Sequence, residues 1–392
     1  MPTVALLTTI SANQSLAALL QALGEGFRAL GFETLSLGGL TGDMTVAEAT
    51  AAANRRDCAF LVTVNGFSAD YAMQRPGWLE AFRAPSVEIV VDNPWSIWPR
   101  MTQAVPNRLL FHCDREMAGF LKRYAFAEET HWLPHVAMGD AEDSPRWAGR
   151  SIDVLVPGMV EQLESGWPEA APKATRCMIE RWRARPTLGM AEHMRGTVAE
   201  LGHSHFDAML LDILDTSSHA ERWVRSQTRI DVLAALGKAG VRCTLVGDWS
   251  ALPTEVAAMH EIRAPLPLLE VLTLMRDAKF VLSTSPSLPH AGHERAFSAM
   301  VAGAVAVVDE NPFWRSTFGA KGCLAFDLWH PQQLSNQMRW LIERPAQAQK
   351  IADAGRKQAL QNFSPTVAAK RILDVVTAHK RRRLDAGWAV AG

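Results

Sequence analysis

Short, nearly continuous apolar runs alternate along the chain with stretches whose apolar positions recur every three or four residues. The runs "TVALLTTI" (3–10), "FETLSL" (32–37), "CAFLVTVNG" (58–66), "SVEIVVD" (86–92) and "RLLFHC" (108–113) have strand length. Apolar on both faces, they match strands of a parallel sheet covered on each side. Between the first two, "QSLAALLQALGEGFRALG" (14–31) places Leu16, Leu20, Leu23 and Phe27 on one helical stripe and ends at Gly31, a C-cap candidate. Strand followed by helix, several times over, predicts a doubly wound α/β domain.

The pattern pauses at "DAEDSPRWAGR" (140–150), polar and broken by Pro and Gly, which reads as a connection. It resumes with "IDVLVPG" (152–158), passes through a helix-rich insertion (160–238), and continues with "VRCTLVGDW" (241–249), "KFVLSTSP" (279–286), "AVAVVDE" (304–310) and "CLAFDL" (323–328). The expected division is an N-terminal Rossmann-like domain over 1–145, a second over 146–365, and a C-terminal helix and tail over 366–392. Two such domains in tandem would face each other across a cleft, and open α/β sheets bind ligands beyond the carboxyl ends of their strands.

Composition narrows the function. Forty basic and 41 acidic side chains nearly cancel over 392 residues, so no overall field draws the chain to nucleic acid or an anionic membrane. The run Lys380 to Arg383 reads as a solvated helix end. Five scattered cysteines without CxxC spacing argue against a disulfide framework or a zinc site. No apolar stretch reaches the roughly 18 residues of a membrane span, and the N-terminus lacks a basic leader. The expected setting is the cytoplasm, with no integral membrane segment.

The candidate chemistry gathers in "HAGHERAFSAMVAGAVAVVDENP" (290–312). A strand ends near Pro286 and a helix opens at "HERAFSAMVAG", which puts His293, Glu294 and Arg295 in its first turn. Unpaired N–H groups and the positive end of the helix dipole favour a phosphate or diphosphate there. Arg295 adds a charge-assisted contact, and Glu294 can accept from ribose or sugar hydroxyls. The rival reading of the same residues is structural, with Glu294 favouring the helix dipole, Arg295 paired to an acid, and His290 and His293 lining a loop.

The segment from "HERAFSAMVAG" through "DAGRKQAL" resembles the C-terminal domain of bacterial GT-B glycosyltransferases, in particular the branch of spore maturation protein CgeB. "VGDW" (246–249) resembles the turn near the base, "VVDNPW" (90–95) an Asp-x-Pro element of the N-terminal half, and "WLPHVA" (132–137) the strand leading to the hinge. The resemblance implies a nucleotide-diphosphate sugar as co-substrate, donor residues Gly247, Trp249, His290, His293, Glu294, Arg295 and Ser298, a metal-independent reaction and retention of configuration. Ser298 and His290 stand where retaining relatives usually carry acidic residues that bind ribose and donor sugar. No Asp-x-Asp motif offers a metal clamp, and no cofactor is expected.

The acceptor, a protein, polysaccharide or other glycan, would meet the N-terminal domain. A group that deprotonates or orients it is expected at Asp92, His112 or Asp114. Trp95 and Trp98 follow Asp92 and offer flat faces to a sugar, although Asp-Asn-Pro is also a turn sequence. Ser11, Asn13 and His135 complete the acceptor-side candidates, Ser11 and Asn13 doubling as possible helix caps. Asp92, His112 and Glu294 form the catalytic set. Two alternatives share the fold: a nucleotide-sugar 2-epimerase, and a nucleotide-sugar-binding protein without catalysis.

Overall fold

The structure is a computed structural model describing residues 1–7, 14–37, 46–55, 58–74, 82, 84–139, 147–163, 167–319 and 321–385. The chain forms two compact units: residues 1–136 with 363–392, and residues 137–362. The first division falls after Val136 rather than after 145. The C-terminal helix, expected as a separate tail, belongs to the first unit.

In the first unit β1 (Thr3–Leu6), β2 (Glu33–Ser36), β3 (Cys58–Val64), β4 (Ser86–Val90), β5 (Arg108–His112) and β6 (Glu129–Trp132) form a parallel sheet in the order β2-β1-β3-β4-β5-β6. β4 and β5 are buried along their whole length, as their two-sided apolar patterns require. On the helix Gln14–Ala29, Leu20, Leu23 and Phe27 are buried. The helix stops at Gly31, whose φ of +85° is the left-handed cap that glycine adopts without strain. β6 ends at Trp132, so the expected strand over 132–137 is corrected to a strand over 129–132. Leu133 still donates to the His112 carbonyl, but Pro134 has no N–H with which to continue the ladder.

The helix Pro365–Asp385 packs on the helix Gln14–Ala29. The approach needs a glycine, because a Cβ on Gly26 would lie 2.4 Å from the Pro365 carbonyl oxygen. At its far end His379 Nδ1 lies 2.8 Å and Arg382 2.6 Å from the Glu129 carboxylate.

The second unit has β7 (Ile152–Met159), β8 (Thr244–Asp248), β9 (Glu261–Arg263), β10 (Ala278–Ser283), β11 (Val305–Asp309) and β12 (Leu324–Phe326), all parallel, in the order β12-β11-β10-β7-β8-β9. Phe280, Val305, Val307, Leu245 and Val154 from the sheet share one core with Leu233 and Leu236 of the helix Leu210–Lys238 and Met338 and Leu341 of the helix Gln332–Ile342. The insertion holds the helices Lys173–Ala184, Met190–Glu200 and Leu210–Lys238. β9 was not foreseen, since "EIR" is too short to show a period.

Candidate functional site

The carboxyl edge of the second sheet collects most of the predicted donor residues. The helix Glu294–Val301 begins there, with His293 as its N-cap. His293 Nδ1 lies 2.6 Å from Glu294 Oε2 and 3.3 Å from the Arg295 N–H. The shorter contact to a carboxylate requires a proton on Nδ1, so His293 donates to Glu294, and that same nitrogen cannot then accept from the Arg295 N–H. His293 and Glu294 side chains are 26% and 25% exposed, so both reach solvent. His290 is half-buried in the loop before them.

Arg295 is half-buried, and its guanidinium has neither a hydrogen bond nor an ion pair among the described residues. Burial pulls its pKa below the usual guanidinium value, with Glu294 acting in the opposite sense. Sequence reading missed the second cation. Arg229, on the helix Leu210–Lys238, donates Nη1 to the Met159 carbonyl at 2.7 Å and Nε to Thr284 Oγ1 at 3.3 Å, which places it across the ends of β7 and β10. Desolvation, then repulsion from Arg295 and Arg225, brings its pKa down to about 9. Glu221, Arg225 and Arg229 follow each other at intervals of four on one helix face. That spacing was visible in the sequence.

One buried carboxylate joins the cations. Asp309 ends β11, accepts from the Ser285 N–H at 2.7 Å and is 5% exposed. Burial raises its pKa to about 6, against the pull of Ser285, His293 and Arg229. Beside it a cavity of about 160 Å³ is walled by Trp182, Pro286, Asn311, Arg315 and Trp329. Trp182 comes from the insertion, which therefore forms part of the wall of this edge.

Gly247 has φ +137°, and a Cβ there would lie 1.8 Å from the Gly158 carbonyl oxygen. Its role is thus the close approach of β8 to β7. A Cβ on Gly158 would in turn lie 3.8 Å from both Arg229 Nη1 and the Trp249 ring. Trp249 is 3% exposed and belongs to the core, with no partner for its buried Nε1 among the described residues. Ser298 is 2% exposed, and its hydroxyl accepts from the Met138 N–H at 2.9 Å. Its side chain is committed to the start of this unit.

In the first unit, Asp92 is exposed just past β4, and its carboxylate is held by Asn65 Nδ2 at 2.7 Å. Asn65 Oδ1 also accepts from the Val91 and Asp92 N–H groups at 3.0 and 3.3 Å. Its φ of +51° is a strained left-handed conformation for a residue with a side chain. His112 is fully buried, accepts on Nδ1 from the Asp114 N–H at 2.9 Å, and has its pKa lowered mainly by desolvation. The imidazole is therefore neutral with its proton on Nε2. Asp114 caps the helix Arg115–Tyr124 through the Glu116 and Met117 N–H groups. Trp95 and Trp98 are each 7% exposed, which leaves little of either face open to a sugar. His135 is buried. Ser11 and Asn13 lie outside the described residues.

Among the described residues no three His, Cys, Asp or Glu side chains converge as a metal site, and no helix is long and apolar enough to cross a membrane.

A family model described as "Glycosyl transferase-like" matches residues 225–374, a span that contains Arg229, Asp309 and the turn at His293. No curated protein sequence matches the chain. Among solved structures, a glycosyltransferase from Rickettsia africae is similar with a TM-score of 0.52 at 10% identity, covering 96% of this chain and 98% of that one. A sucrose-phosphate synthase from Thermosynechococcus elongatus gives a TM-score of 0.53 at 11% identity, with 99% and 100% covered. HepE from Anabaena, in complex with UDP and glucose, gives 0.53 at 11% identity, with 96% and 100% covered. With two parallel six-stranded sheets and these likenesses over nearly its whole length, the chain has the GT-B fold.

Proposed function

We propose that the chain is a glycosyltransferase whose donor, a nucleoside diphosphate sugar, binds at the carboxyl edge of the second unit's sheet. The observation that carries this reading is the meeting of Arg229 and Arg295 there, each desolvated and repelled or unpaired, with Asp309 held partly neutral by burial. Such a site is short of negative charge, and a diphosphate supplies it. The family model over 225–374 supports the same assignment.

In this reading Arg229, Arg295 and the first turn of the helix Glu294–Val301 stabilise the leaving diphosphate. No metal is needed, since arginines provide the neutralising charge. Glu294, oriented by His293, accepts from sugar or ribose hydroxyls. Retention of configuration and kinship with the branch of spore maturation protein CgeB are what the resemblance of residues 293–360 implies. The acceptor, a protein side chain or a glycan, binds the first unit, where the exposed carboxylate of Asp92 is the candidate to orient its hydroxyl.

UDP is the first ligand to test, because it is present in the solved HepE complex. Millimolar nucleotide bound at micromolar affinity adds about 4 kcal/mol to stability, which a thermal-shift panel of UDP, GDP, ADP, CDP and TDP reads directly. At least one nucleotide should raise Tm by several degrees in wild type and by much less in Arg229→Gln. A flat response to the whole panel would sink the donor assignment.

A further inference from the structure

A second group of cations lies in the first unit, next to His112 and Asp114, two of the residues expected to orient an acceptor. Arg115 opens the helix after β5, and Arg371 comes from the C-terminal helix. Their guanidinium carbons lie over the Trp132 ring at 4.0 and 5.5 Å from its centroid. Trp132 closes β6 beside His112, so the group sits at the carboxyl edge of the first sheet. Its indole is fixed by Nε1 donating to the Cys113 carbonyl at 2.8 Å.

Neither guanidinium has a hydrogen bond or an ion pair among the described residues, and Arg371 Nη1 is buried without a partner. Burial, then the neighbouring charge of Arg115, lowers the pKa of Arg371. Three of the first unit's carboxylates are committed elsewhere. Asp114 caps its helix, Glu129 takes His131, His379 and Arg382, and Glu128 takes Arg383 and His379. Two like charges gathered on a fixed aromatic plate are offset only in part by the ring. Their forked N–H groups match a phosphate or a carboxylate.

We propose that Arg115 and Arg371, over Trp132, bind an oxyanion carried by the acceptor, which makes the acceptor an acidic saccharide bearing a phosphate or a carboxylate. The word acceptor rests on the glycosyltransferase reading; the oxyanion site does not. The ring gives a sugar an apolar face to stack on while the two arginines take its charged group.

The test is ligand-observed NMR on the full chain with glucose 6-phosphate, glucuronate and uncharged glucose. Wild type should bind at least one charged sugar with millimolar affinity or better and glucose much more weakly. A response to glucose 6-phosphate alone assigns a phosphate, and a response to glucuronate alone a carboxylate. The double variant Arg115→Gln, Arg371→Gln should weaken that binding at least tenfold. Arg115→Gln alone changes an exposed side chain and should weaken it several-fold, which serves if the double variant fails to fold. Arg229→Gln should leave it unchanged. The proposal is overturned if neither charged sugar binds better than glucose, or if Arg115→Gln keeps full affinity. The UDP thermal shift, read on the same variants, reports on the donor site separately, so either assignment can fail alone.

Discussion

Gly247 and Gly158 pass so close that a methyl carbon on Gly247 would stand 1.8 Å from the Gly158 carbonyl oxygen. The contact joins β8 to β7 at the edge where Arg229 takes the next carbonyl, that of Met159. Gly247→Ala must therefore spread the two strands and also strain a φ of +137°. The expected cost is about 3 kcal/mol or more, read as a lower denaturation midpoint. An unchanged midpoint would show that the strand ends yield freely.

Arg295→Gln should act in opposite directions on stability and on binding. Without nucleotide, removal of a desolvated, unpaired guanidinium raises Tm. With UDP, loss of a charge-assisted contact of about 1.5–3 kcal/mol lowers affinity about 10- to 100-fold. Calorimetric titration beside a thermal melt checks both signs, and a fall in the unliganded Tm would show that Arg295 stabilises the fold instead.

Asp309 gives a pH signature. Its folded pKa of about 6 stands above the ordinary value of 3.8, so the folded state holds the proton more tightly than the unfolded one. The stability this contributes is complete below about pH 4 and is lost as pH rises through 6. Asp309→Asn keeps an acceptor for the Ser285 N–H and removes the titration. Relative to wild type the variant should gain up to about 3 kcal/mol between pH 4 and pH 7. Parallel stability curves for the two proteins over that window would contradict the burial argument.

Asn65 separates strain from hydrogen bonding. Asn65→Ala loses the contacts to Asp92 and Val91 and leaves a side chain at φ +51°, for an expected loss of about 3 kcal/mol. Asn65→Gly loses the same contacts but not the backbone conformation, and should cost about 1 kcal/mol less than Ala. Equal losses in chemical denaturation would mean that the conformation carries no strain. If Asp92 orients the acceptor, Asn65→Gly should also slow sugar transfer more than it weakens UDP binding.

The strands and the turn at His293 were legible because their signals are local. Apolar runs such as "SVEIVVD" mark two-sided burial, and "HERAF" after a strand marks a helix start. Trp249 and Ser298 were harder, since sequence shows a residue type and not which way it faces. One entered the core, and the other was taken by the Met138 N–H. Arg229 was missed although Glu221, Arg225 and Arg229 share a helix face, because a long helix-rich insertion reads as a solvated face until its position on the sheet is known. Arg115 and Arg371 gave no signal at all. Only the return of the C-terminal helix to the first unit brings them to one indole.

That return also bears on how the chain is made. Residues 137–362 are contiguous and emerge whole from the ribosome, whereas the first unit lacks the partner of its helix Gln14–Ala29 until residues 363–385 have been synthesised. The first unit is thus completed after the second. Synthesis arrested after residue 362 would yield a finished second unit and a first unit with Gly26 and its neighbours uncovered.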